Sequence, residues 1–249
     1  MSRALEEAAQ MRTAQEIIRE SRVKQSSNGI CYTTAGEVTL PSDELERMVD
    51  AIPRAIAGAL DRKAFYFVPL TINEGEKTLI AEHFEPTLVD RAICHRNIEA
   101  GDSQCIFIST RLLEDRFSID FEFYINVGHA FVEKAGISPE FGELVWRQAT
   151  SNVRGESSYD AFEFRKLALA EAPGGFDEKA KSDYMAAAFS DAIAIYLLSL
   201  CLDVDYYELR EREYPLLAPA ALAERLKKVA ELFPPSPGFE FNIFYKRRT

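Results

Sequence analysis

The residue with the most chemical potential is His129, the only one of three histidines set in an apolar segment, Ile125-Asn126-Val127-Gly128-His129. Imidazole is the commonest metal ligand and a proton shuttle near neutral pH. A catalytic zinc needs three protein donors converging on it and an open position for water. On a helix, donors at i and i+4 share one face. Glu133 follows His129 at that spacing and offers a second donor, with His83 or His95 as the source of a third. This set, His129 and Glu133, defines an alternative reading in which zinc is the cofactor of a metal-dependent hydrolase. The simpler reading is a satisfied core histidine, because i, i+4 polar pairs occur by chance in most helices.

Other constellations carry less. Cys94-His95 pairs a nucleophile with a base, but neighbours along a strand point to opposite faces and form no dyad. Glu82-His83-Phe84-Glu85, ahead of Pro86, reads as a solvated loop. Gly155-Glu156-Ser157-Ser158-Tyr159 reads as a flexible polar stretch, and no phosphate-cradling loop or dinucleotide fingerprint fits anywhere. Residues 206–214 mix charge signs around tyrosines that suit a partner surface. The four cysteines (Cys31, Cys94, Cys105, Cys201) show no paired spacing and read as free, buried thiols.

The elements that must position these residues follow from pattern. Residues 3–24 form a polar helix with a thin apolar stripe (Leu5, Ala9, Met11, Ala14, Ile18, Val23), which needs a cover in cis or in a second copy. Residues 29–40 read as a hairpin turning at Ala35-Gly36. A helix starts near Ser42 and runs to about Leu60, bent at Pro53. Strands cover residues 64–70, 89–95 and 104–109. Helices cover 179–202 and 219–232. Between them, residues 117–127 alternate apolar and polar as a half-buried strand would, yet Phe117, Phe121, Tyr124, Ile125, Gly128 and Val132 also share a helical face, with Ala135-Gly136 as a stop. Periodicity leaves the two readings even.

A resemblance favours the helix. A helix, strands, the edge-like strand at 104–109, a buried helix ending Gly128-His129-Ala130 and a late helix with Phe189-Ser190-Asp191-Ala192-Ile193-Ala194-Ile195-Tyr196-Leu197 resemble zincin metallopeptidases of the anthrax lethal factor catalytic-domain kind. The likeness covers roughly residues 40–233. In that family the buried helix carries His-Glu-x-Gly-His and the late helix supplies a further acidic ligand. The resemblance places His129 on the second zinc histidine and Gly128 on the glycine before it. Ile125 falls on the first histidine, Asn126 on the glutamate that activates water, Ala187 on the acidic ligand, and Asp191 on the second acidic position. Isoleucine and alanine have no lone pair to offer, and an asparagine accepts no proton as a base. The resemblance therefore implies a zincin fold without the zincin reaction, in which Asn126, His129 and Asp191 line a vestigial pocket.

Composition bounds the rest. The chain has 249 residues, 47% hydrophobic and 28% charged, with a net charge of −11, which argues against a nucleic-acid backbone binder. The apolar run from Ala186 to Leu202 is broken by Ser190 and Asp191, and the first 15 residues lack an apolar core, so a cytoplasmic location away from membranes is expected. The expectation is an α+β, zincin-like domain at 41–235, a small mixed sheet packed on a buried central helix with a helical C-terminal half. An N-terminal arm at 1–40 and a tail at 236–249 flank it. Its expected role is a catalytically silent pseudo-metallopeptidase binding a peptide or protein beside strand 104–109, without a cofactor. A homo-oligomer through the N-terminal helix is possible on this reading. A purely structural or interaction protein, with 117–127 as a strand, is the third reading.

Overall fold

The computed structural model describes residues 11–75, 77–113, 115–170, 177–209 and 213–244. The fold is α+β, and the chain divides into two compact units. One consists of Met1–Asp50 with Leu60–Phe123, the other of Ala51–Ala59 with Tyr124–Thr249.

The first unit holds the strands. Met11–Thr13 (β1) leads into helix α1, Ala14–Glu20, whose start is fixed by a capping box between Thr13 and Glu16. Lys24–Gln25 (β2) and Cys31–Thr34 (β3) pair antiparallel. The chain then passes through helix α2 (Ser42–Asp50) and, within the second unit, helix α3 (Arg54–Ala57) before Lys63–Val68 (β4), which lies parallel to β3. A crossover of this length is what a parallel pair requires. Leu70–Glu74 (β5), Lys77–Ala81 (β6) and Ala92–Ile93 (β7) join β1 in a four-stranded sheet of order β1-β6-β5-β7. His95–Ala100 (β8) and Ser103–Ser109 (β9) complete a five-stranded sheet of order β2-β3-β4-β9-β8.

Alternation along β4 and β9 gives this second sheet two apolar faces. Tyr66, Val68, Cys105 and Phe107 pack with Ala14 and Ile17 of α1 and Ile80 of β6. On the opposite face, Phe65 and Phe67 meet Phe123 at ring-centroid distances of 4.9 and 5.5 Å. Phe123 belongs to helix α4, Arg116–Ala135, the helix in which the two units divide.

The second unit is helical. It holds helices α5 (Pro139–Thr150), α6 (Tyr159–Ala168), α7 (Glu178–Cys201) and α8 (Pro219–Leu232), and an aromatic cluster joins Phe131 of α4, Phe141 of α5, Phe189 of α7 and Phe233 just after α8. By length and composition α7 is apolar enough to cross a membrane, but 72% of that stretch is buried inside the fold, as in a core helix.

The structure decides for the helix at residues 117–127 that the resemblance favoured, and corrects several other expectations. Residues 117–127 are helix throughout. Asp115 supplies the local reason: its Oδ1 accepts the Ser118 N–H at 2.8 Å and its backbone carbonyl accepts that of Ile119, which caps the first turn. At the far end Gly136 takes φ +76° and closes the helix on Val132. The 29–40 hairpin does not form, since β3 instead pairs with β2 and β4. Only Ala92–Ile93 and the first residue of β8 fall in the strand expected at 89–95, because Pro86–Arg91 is a 3-10 turn. The 104–109 strand is interior, flanked by β4 and β8. Of the 3–24 helix, residues 3–10 lie outside the described residues, and Ala14–Glu20 docks on its own sheet through Ala14 and Ile17. Cys105 is buried, but Cys94 is exposed.

Candidate functional site

The residues expected to line a pocket sit on α4 and α7. These helices approach so closely that a Cβ on Gly128 would lie 2.5 Å from the Ser190 carbonyl oxygen. The glycine before His129 thus has a packing explanation, since any larger side chain must push α7 away. Asn126 is buried, Asp191 is half-buried, and His129 and Glu133 both lie on the exposed face of α4. Asp191 turns toward the loop before α6, where its Oδ2 accepts a 2.8 Å hydrogen bond from Ser157 Oγ.

A zinc ion does not fit this set. Ile125 and Ala187 offer no donor at the positions where the resemblance requires one. Among the described residues no three His, Cys, Asp or Glu side chains are grouped to hold a metal ion, so a third donor for His129 and Glu133 is not found there.

Next to Asp191 lies a feature that sequence reasoning missed. Gly155 to Ser157, taken as flexible and polar, is a buried hub. Glu156 has no exposed surface and receives Arg225 Nη1 at 2.8 Å, Arg165 Nη1 at 3.1 Å and the Tyr184 hydroxyl at 2.6 Å. Arg225, equally buried, donates through Nε to Gln148 Oε1 and through Nη2 to the Tyr184 oxygen. Arg165 also donates to the carbonyls of Gly155 and Ala149. Backbone bonds from Glu156 N–H to Pro215 and from Leu217 N–H to Glu156 hold the loop in place. Gly155 takes φ +79° there, and a Cβ would stand 2.2 Å from the Leu216 oxygen, a position only glycine tolerates. Burial beside this network pushes the Asp191 carboxyl up to about 7, against the hydrogen bonds from Ser158 and Ser157 that favour its charged form. One signal was present in the sequence: Leu222, Arg225, Leu226 and Val229 are spaced as the apolar stripe of α8, with an arginine in it.

The first unit offers a different kind of site. Its β8 is the longest of the edge strands and, among the described residues, has a strand on one side only. The register His95↔Ile108 to Ala100↔Ser103, with Ser109 N–H bonding the Cys94 carbonyl, sets the parity of the ladder. Antiparallel pairs alternate between bonded and unbonded positions, so Arg96, Ile98 and Ala100 exchange bonds with β9. His95, Asn97 and Glu99 therefore aim N–H and C=O away from the sheet. Their side chains share the face on which α4 packs, and His95 Nδ1 lies 2.5 Å from Glu122 Oε1 of that helix. Near the start of α4, Asp120 is fully buried and pushed up to about 6 by desolvation, against its bond from Arg116. Its Oδ2 finds no hydrogen bond among the described residues.

The α+β fold thus presents two distinct arrangements, a buried charge hub and an open strand edge. No family model, curated protein or solved structure matches this chain.

Proposed function

We propose that this chain is a catalytically silent, zincin-like module that binds a peptide or protein segment as an added strand on the outer edge of β8. The observation that carries the reading is the open edge, where His95, Asn97 and Glu99 direct backbone donors and acceptors outward. Strand addition draws affinity from main-chain bonds and specificity from alternate side chains, so it needs no metal. The strand first expected to border the cleft, 104–109, is interior, and the binding edge moves one strand outward to 95–100. The silent half of the reading rests on donor chemistry, with isoleucine, asparagine and alanine at the positions of ligand, base and ligand.

The test uses peptides selected on the full chain from a random phage-displayed library. Each outward hydrogen bond contributes about 1 kcal/mol, so Asn97→Pro and Glu99→Pro should each weaken a selected peptide about five- to tenfold. His129→Ala and added chelator should leave binding unchanged. Peptides indifferent to both proline substitutions, or cleavage that depends on added zinc, would overturn the proposal.

A further inference from the structure

Resting on the edge-binding reading above, we infer that the segment β8 accepts is an extended acidic peptide lying antiparallel to it. An aromatic or β-branched residue of the peptide stands opposite Ile98, and an Asp or Glu two residues further on stands opposite Arg96.

The ladder divides the edge into two kinds of position. His95, Asn97 and Glu99 send their N–H and C=O outward, so they form the wide, hydrogen-bonded pairs with an added antiparallel strand. Arg96 and Ile98 fall in the narrow pairs between them, where facing Cα atoms approach to about 4.5 Å and side chains lie closest. Side-chain recognition across the new pair is therefore concentrated at these two residues. A parallel strand would have evenly spaced bonds and slightly weaker pairing per residue.

The two residues call for different partners. Ile98 is half-buried, faces Cys105 on β9, and packs against the cluster that Tyr66, Cys105 and Phe107 form on the α1 side of the sheet. An apolar side chain beside it continues that face outward, and aromatic or β-branched residues pair well with a β-branched one. Arg96 is on the same face, opposite Phe107 of β9. It is exposed, and among the described residues it makes no ion pair. Its guanidinium is always charged and presents a planar fork of donors that matches a carboxylate.

The acidic groups of this edge are on the other face and are already engaged. Glu99 accepts from Gln104 Nε2 at 2.9 Å, and Glu122 holds His95. The unmatched charge at the narrow positions is thus a permanent cation, which selects an anionic residue. Because the peptide runs antiparallel, the apolar residue comes first, then any residue, then the acid. The chain as a whole carries −11, so its general field draws basic peptides. A preference for a carboxylate therefore reports Arg96 itself.

Peptides selected on the full chain from the phage-displayed library test the inference. They should be enriched in the apolar-x-acid order, and selection on Arg96→Glu should replace the acid with Lys or Arg. For one selected peptide, changing the motif carboxylate to its amide should weaken binding to the full chain about two- to fivefold. Arg96→Glu should weaken the acidic peptide about five- to tenfold and tighten its lysine counterpart, since opposite charges become like ones and the reverse. Circular-dichroism melts establish that this variant folds, and the amide peptide gives the same reading on the unaltered chain. Peptides that bind through β8 but carry no acid at that position, or that bind the full chain and folded Arg96→Glu alike, overturn the inference and leave the function proposed above standing. Peptides indifferent to Asn97→Pro and Glu99→Pro overturn both.

Discussion

The edge of β8 and the hub around Glu156 treat polar groups in opposite ways. At the hub the charged groups are buried and hydrogen-bonded: one carboxylate takes two guanidiniums and a tyrosine hydroxyl, and Arg225 also donates to Gln148. At the edge, a row of backbone donors and acceptors remains open on a strand whose side chains are mostly exposed. Buried ion networks cost desolvation and become strongly destabilising when half-removed, which suits a scaffold. Open edges are liabilities that folded proteins usually cover or blunt, which is the ground for proposing this one as a binding edge. The difference teaches that polar richness alone does not mark function. The charged cluster around Glu156 is buried inside the fold, and the proposed binding edge is a line of ordinary amides.

The largest expected effect breaks the hub. Glu156→Gln leaves two buried arginines without a counter-charge and should lower stability in urea by about 3–5 kcal/mol. A loss below about 1 kcal/mol would mean the hub is not the scaffold described. Next, Gly128→Ala should cost up to about 3 kcal/mol, because its Cβ would press on the Ser190 carbonyl. If that variant melts like the parent, the close crossing of α4 and α7 is wrong.

Asp191 sharpens the contrast through pH. Its folded-state value of about 7 stands above the ordinary 3.8. The neutral acid is therefore the form the fold prefers, and its stabilisation is complete below about pH 4 and lost as pH rises through 7. Asp191→Asn, which stays neutral, should gain on the parent across that window and level off above it, by about 1–2 kcal/mol after allowance for partial solvent screening. Parallel stability curves for the two from pH 4 to 8 would contradict the burial argument. The smallest effect is expected where chemistry first seemed densest. His129→Ala and Glu133→Ala, both on the exposed face of α4, should each shift stability by no more than about 0.5 kcal/mol. Neither should change the zinc content of the untagged chain by elemental analysis.

The sequence was most legible where one signal acted alone. Helix α8 was bounded to the residue because prolines flank its amphipathic run, and α7 to within one because its long apolar run follows Gly174-Gly175 and gives way to Asp203-Val204-Asp205. Residues 117–127 were ambiguous because α4 is apolar around much of its circumference, so period two and period 3.6 both fit. The Asp115 cap was the local feature that distinguished them. β8 was not legible, since His-Arg-Asn-Ile-Glu-Ala lacks the β-branched density of an interior strand. Its neighbour β9, dense and apolar, was read as the edge on the resemblance alone. The Glu156 hub was hidden for a physical reason: Glu156, Arg165 and Arg225 are far apart in sequence, and each alone reads as a surface charge. Of the motif residues, Asp191 accepts a hydrogen bond from Ser157 beside the hub.

The central claim is that β8 binds an added strand through its odd-numbered amides. Amide-resolved hydrogen exchange of the full chain, at a concentration where it is monomeric and with and without a saturating library-selected peptide, measures this directly. The predicted result is slowed exchange at Asn97 and Glu99, with Arg96 and Ile98 unchanged because β9 already holds them. A bound peptide that leaves Asn97 and Glu99 exchanging at their free rates would contradict it.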